Sequence, residues 1–107
     1  MSKLKLLISM STFESTATIN LSGCFSYRDR GAFESKYAML LDNPGTEKLV
    51  VNLAEVRQID SSALGMLLML RHYADASKKI LHLSSPSDVV RNVFEIACFP
   101  KLFTITA

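Results

Sequence analysis

In the stretch VRQIDSSALGMLLML, two adjacent hydroxyls, Ser61 and Ser62, stand between Asp60 and a strongly apolar run. Such a pair can serve as a nucleophile, a helix cap or an attachment point. Nucleophilic use requires a base within reach. His72 follows Ser61 by eleven residues, which on a helix is about 16 Å, too far for a triad of Ser61, His72 and Asp60. His82 falls on a strand pattern, and no G-x-S-x-G elbow surrounds either serine. His82 therefore reads as an ordinary strand residue.

The other chemistries have little to work with. Four glycines form no phosphate-cradling loop, and two histidines and two cysteines are scattered rather than clustered. Cys24 and Cys98 lie far apart without a C-x-x-C, as expected of buried thiols in a reducing cytoplasm. No metal, no cofactor and no catalysis are expected, which leaves capping or modification. Asp60, Ser61 and Ser62 sit where a strand region meets a helix start, and any of them can accept hydrogen bonds from free backbone N–H groups. A phosphate there would add about −1.5 to −2 charge beside amides and a helix dipole that favour anions. The residues themselves leave both uses open.

The helix after the serines has two distinct sides. At 100° per residue Ala63, Met66, Leu67, Leu70 and Ala74 share one broad face, with Leu64 at its margin, and form the candidate core. Gly65, Met69, His72 and Ala76 fall opposite. This side reads either as part of a wide core or as a small adaptable contact surface, for which methionine is well suited.

The elements that position this helix follow from periodicity. Leu4, Leu6, Ile8 and Met10 alternate with Lys3, Lys5 and Ser9, the pattern of a half-buried strand whose lysines mark an edge. Ala17, Ile19 and Leu21 alternate with Thr16, Thr18, Asn20 and Ser22, and a polar link around 11–15 predicts a hairpin. Ser26, with Asp29 three residues on, starts a helix carrying Phe33, Tyr37, Leu40 and Leu41, which Asn43-Pro44-Gly45 stops. KLVVNL is a central strand, the serine-led helix runs to about Ser77, and KILHLS is a fourth strand. Ser85 as cap and Pro86 at the first helical position begin a last helix bearing Val89, Val90, Val93, Phe94 and Ala97, ended by Pro100. LFTIT closes the chain as a strand. The order β-β-α-β-α-β-α-β predicts an α/β fold with a mixed sheet, mainly parallel after the initial hairpin and covered by helices.

Bulk composition fits one domain over 1–107: 49% apolar, 21% charged, 107 residues. The net charge of +2 comes from 12 basic and 10 acidic residues interleaved along the chain, so no basic face for nucleic acid is expected. The apolar run of MSKLKLLISM is too short for a secretory leader, and no stretch is long enough to insert in a membrane. A soluble cytoplasmic protein is expected.

The element order, the LSG after the second strand, VVNLAEVRQIDSSALGMLLML and SPSDVVRNVFEIACFPKLFTI together resemble the STAS domain of bacterial anti-sigma factor antagonists. The resemblance covers nearly the whole chain, and D-S-S-x-L-G after a strand is its most specific part. It implies a serine directly after the aspartate that is phosphorylated by a serine kinase doubling as an anti-sigma factor. The unphosphorylated form binds that partner, and a PP2C-type serine phosphatase removes the mark. On this chain the acceptor is Ser61, with Ser62 its rival, and the partner-binding set is Asp60, Ser61, Ser62, Gly65, Met69 and His72. Ala63 stands where many relatives carry glycine, and Cys24 and Ser26 replace acidic residues often found after the SG turn. The alternative within the resemblance is a constitutive STAS-type interaction subunit, such as the cytoplasmic accessory component of a lipid transporter.

Overall fold

Alternation between Leu6 and Phe25 produces a long antiparallel hairpin. The computed structural model describes residues 5–107; Lys3 and Leu4, assigned above to the first strand, lie outside them. Strand β1 (Leu6–Phe13) pairs antiparallel with β2 (Thr16–Phe25), Leu6 opposite Gly23 and Phe13 opposite Thr16. The strands run further than the polar composition of 11–15 suggests. Only Glu14 and Ser15 remain as the turn, and Glu14 takes a φ of 55°, a tight-turn conformation. Along β2 buried and half-buried residues alternate without a break, Ala17, Ile19, Leu21 and Phe25 facing inward as the period requires.

Helix α1 (Arg30–Asp42) follows a single 3-10 turn, Tyr27–Asp29, that Ser26 caps. The Ser26 N–H donates to Asp29 Oδ2 at 2.9 Å and the Asp29 N–H returns to the Ser26 carbonyl at 3.0 Å. Phe33, Tyr37, Leu40 and Leu41 are buried, and Asn43 ends the helix.

Strand β3 (Lys48–Ile59) is twice the length of the apolar run KLVVNL. Its pairing with β2 shifts register twice, between Asn20 and Ser22 and between Gly23 and Cys24, so β3 carries an extra residue at each point. The shifts turn the burial period from two into three: Leu53, Val56 and Ile59 point to the core while Ala54, Glu55, Arg57 and Gln58 are exposed. Side chains occupy backbone groups left over at the irregularities. Asn52 Oδ1 accepts the Ala54 N–H at 3.1 Å, and Ser87 Oγ donates to the Val56 carbonyl at 2.6 Å.

Helix α2 (Ser61–Ala76), strand β4 (Ile80–Ser84), helix α3 (Asp88–Ile96) and strand β5 (Thr104–Thr106) complete the order. The cap of α3 is Ser87 rather than Ser85, its Oγ accepting the Val90 N–H at 3.4 Å. Ser85, preceding Pro86, has a φ of 52° and lies in the turn before the helix. The helix also ends before Pro100, at Ile96, with Cys98 in the left-handed region at a φ of 60°.

Among the described residues the sheet order is β1-β2-β3-β4-β5, parallel except for the first pair. Sequential parallel strands joined by right-handed crossovers put all three helices on one face. There Ile19, Val51 and Leu83 meet Phe33, Met66, Leu67, Val90 and Phe94 in one core cluster. The other face is open. Across it Ser9, Asn20, Asn52, Ser84 and Thr106 align by register, and Asn52 Nδ2 donates to Asn20 Oδ1 at 3.0 Å. The helices therefore cover the sheet on one side only.

Candidate functional site

The site lies where β3 hands over to α2. The extra residues in β3 carry the strand to Ile59, and Asp60 still donates its N–H to the Phe25 carbonyl at 3.2 Å. Its φ of −108° and ψ of 175° are extended, so Asp60 is the N-cap. One carboxylate oxygen, Oδ1, accepts the Ala63 N–H at 2.8 Å; the other, Oδ2, accepts the Tyr27 N–H at 3.1 Å. One side chain thus joins the α2 start to the loop between β2 and α1.

Capping by Asp60 relieves the serines of that task. Ser61 is the first residue of α2 and exposed; Ser62 is half-buried. The amides of residues this early in a helix have no intrahelical acceptor, so they leave positive partial charge beside the Ser61 hydroxyl. Ala63 is wholly buried, and alanine at this third helical position suits both helix geometry and core.

Along α2 the core face is as its periodicity predicts: Ala63, Met66, Leu67, Leu70 and Ala74 are fully buried. The opposite side opens to solvent. Gly65 is half-buried and Met69 and His72 are exposed. A Cβ added at Gly65 would meet nothing within 4 Å, so no neighbour in the chain requires glycine there. Leu68 and Tyr73, which flank this side of α2, are also exposed, as is Tyr27. Leu68 and Tyr73 were not among the expected contact residues. Their signal was present, since Leu67 and Leu68 stand 100° apart and cannot both lie at the centre of one face. The Asp60 bond ties the Tyr27 backbone to the start of α2 between segments 33 residues apart, which no local pattern encodes.

The other reactive side chains lie elsewhere. His82 is on β4 in the open sheet face, and burial, reinforced by Lys48, holds its imidazole below the usual histidine range. Cys24 is half-buried rather than sequestered, and Cys98 is exposed. Among the described residues, no helix is long and apolar enough to cross a membrane.

The arrangement defines a class of small α/β domain with a hydroxyl at an exposed helix start and exposed apolar side chains along the same helix. The chain belongs to the STAS family. Residues 8–104 match the family model described as Mlab, STAS domain. A STAS-domain containing protein of Pseudomonas aeruginosa (strain UCBPP-PA14) is 35% identical over 89 residues, covering 83% of this chain and 86% of that one. Among solved structures, the anti-sigma factor antagonist of Mycobacterium paratuberculosis superposes with a TM-score of 0.84 at 14% identity, over 95% of this chain and 86% of the other. The antagonist SpoIIAA in its unphosphorylated form gives 0.77 at 20% identity, over 96% and 89% of the two chains. The phosphorylated Bacillus form gives 0.71 at 19% identity, over 96% and 92%. At these identities the likeness establishes a shared fold.

Proposed function

We propose that this chain, a single STAS domain over 1–107, is a cytoplasmic, non-catalytic anti-sigma factor antagonist switched by phosphorylation of Ser61. The unphosphorylated form binds a partner that is both anti-sigma factor and serine kinase, and a PP2C-type phosphatase restores it. The observation that carries this reading is the division of labour at the helix start: Asp60 caps α2 and leaves Ser61 exposed with no capping role. A phosphate on Ser61 would sit beside free amides that favour an anion, so the domain tolerates it. The added charge, next to Asp60, opposes a partner fitted to a neutral hydroxyl. Half-burial of Ser62 supports Ser61 as acceptor. The strip of Gly65, Met69 and His72 continues the docking surface along α2.

Incubating the protein with candidate partner kinases and ATP, followed by mass spectrometry, tests the reading. Phosphate on Ser61, and loss of partner binding in Ser61→Asp, are expected. No modification at either serine, together with unchanged binding of Ser61→Asp, overturns it. The second reading, a constitutive STAS-type subunit of an assembly such as a lipid transporter, draws on the apolar character of the strip, which is independent of the serine. A stoichiometric complex insensitive to Ser61→Asp selects it.

A further inference from the structure

The sheet ends on one side in the three residues of β5 and on the other in the eight residues of β1. Among the described residues nothing pairs with the outer edge of either strand. Shortness protects β5, but β1 carries none of the usual defences of an edge strand. No charge or proline interrupts LLISMSTF, and its pairing with β2 runs from Leu6 to Phe13 without a bulge. Leu7 and Phe13, near its two ends, are 69% and 76% exposed on the sheet face that the helices leave open.

Only Glu14 and Ser15 separate β1 from β2, so the turn makes Phe13 and Thr16 a hydrogen-bonded pair. Bonded and non-bonded pairs alternate from there. The backbone N–H and C=O groups of Ser11, Ser9 and Leu7 therefore turn toward β2, and those of Thr12, Met10, Ile8 and Leu6 toward the free edge. Met10 stands midway between Leu7 and Phe13, and its own backbone groups face outward. An antiparallel second β1 centred on Met10 uses both facts at once. Met10 bonds Met10 of the second copy and Ile8 bonds its Thr12, for about six backbone hydrogen bonds in all.

The side chains agree with that register. Leu7 falls opposite Phe13 of the second copy at both ends of the contact, with Ser9 opposite Ser11 between them. Lys5 comes within one residue of the other copy's Glu14, opposite in charge, again at both ends. Sliding the strands by two residues keeps the backbone pattern but breaks the match of Leu7 with Phe13. We propose that the chain forms a two-fold dimer through antiparallel pairing of β1 with β1 of a second copy, centred on Met10. Two five-stranded sheets then join into one. Because residues of the same face pair across the junction, the helices of both copies lie on the same side.

Sedimentation of the full chain between about 10 µM and 1 mM should show a reversible dimer with a Kd of about 100 µM, as suits a contact of small area. Ser9→Lys with Ser11→Lys sets like charges opposite each other and should raise that Kd about tenfold or more, with the circular dichroism of the parent. Cross-linking reads the register. Leu7→Cys with Phe13→Cys, combined with Cys24→Ser and Cys98→Ser, leaves the two new thiols of one chain about 20 Å apart. Across the dimer they face each other in non-bonded pairs with Cα atoms about 4.5 Å apart, within disulfide reach. Oxidation should give a covalent dimer in which mass spectrometry finds position 7 joined to position 13. A chain monomeric throughout that range, a double-lysine variant that dimerises like the parent, or failure of the paired thiols to link overturns the proposal.

Discussion

The carboxylate of Asp60 accepts the Tyr27 backbone N–H at 3.1 Å while its other oxygen accepts the Ala63 N–H at 2.8 Å. The residue beside the candidate acceptor is thus the tie between α2 and the loop preceding α1. Replacing it by alanine removes a cap and a long-range bond together. Asp60→Ala should cost about 2 kcal/mol or more, lowering Tm by roughly 8–16 °C, as thermal unfolding by circular dichroism will show. Asp60→Asn keeps an oxygen for Ala63 and should lose about half as much. A Ser61→Ala variant, which gives up no bond in this network, should melt with the parent.

Gly65 offers a prediction in which stability and binding move in opposite directions. Glycine inside a helix costs about 0.5–1 kcal/mol relative to alanine, and a Cβ there would meet nothing within the chain. Gly65→Ala should therefore raise Tm by a few degrees. If the strip around Met69 and His72 docks a partner closely, the same methyl group should weaken that complex, measured by calorimetric titration. A stabilised variant with unchanged affinity would remove Gly65 from the docking surface.

How much of this was legible depended on whether the determining contacts were local. The core face of α2 and the inward row of β2 follow from simple periods, and both are buried as their spacing requires. β3 was half-read because its two register shifts replace alternation with a period of three, hiding Leu53, Val56 and Ile59 as one inward row. Ser85-Pro86 imitates a helix start two residues ahead of the true α3 cap. What selects Ser87 is its bond to the Val56 carbonyl, at one of the β3 irregularities. At the site, the residues alone leave open which of Asp60, Ser61 and Ser62 caps α2, because the capping residue is identified only by where its side chain points.

His82 gives the fold a pH dependence on its open face. Its imidazole is held below the ordinary range by burial first and then by Lys48, so the folded state resists protonation. The unfolded chain binds the proton more readily, and stability therefore falls as pH drops below about 6.5 and levels off below the folded-state value. Denaturant midpoints measured between neutral and mildly acidic pH should decline over that window. His82→Gln should flatten the decline, and an identical profile in the variant would assign it to other groups.

Gly23, the glycine of the LSG segment, is demanded by two constraints acting together. Its φ is +105°, outside the range that side chains readily occupy, and an added Cβ would lie 2.0 Å from the Lys5 carbonyl oxygen. That oxygen belongs to backbone and cannot swing aside as a flexible side chain would. Gly23 also lies beside the register shift that precedes Cys24, so displacing β1 would disturb the strand leading through Phe25 to the Tyr27 loop. Gly23→Ala should cost about 2–4 kcal/mol and loosen the segment that Asp60 holds. Amide exchange should speed up at Leu6 and Tyr27 while the α3 core stays protected, separating local release of the edge from global unfolding. Uniform loss of protection across the sheet would instead show that the hairpin and the parallel strands unfold as one unit.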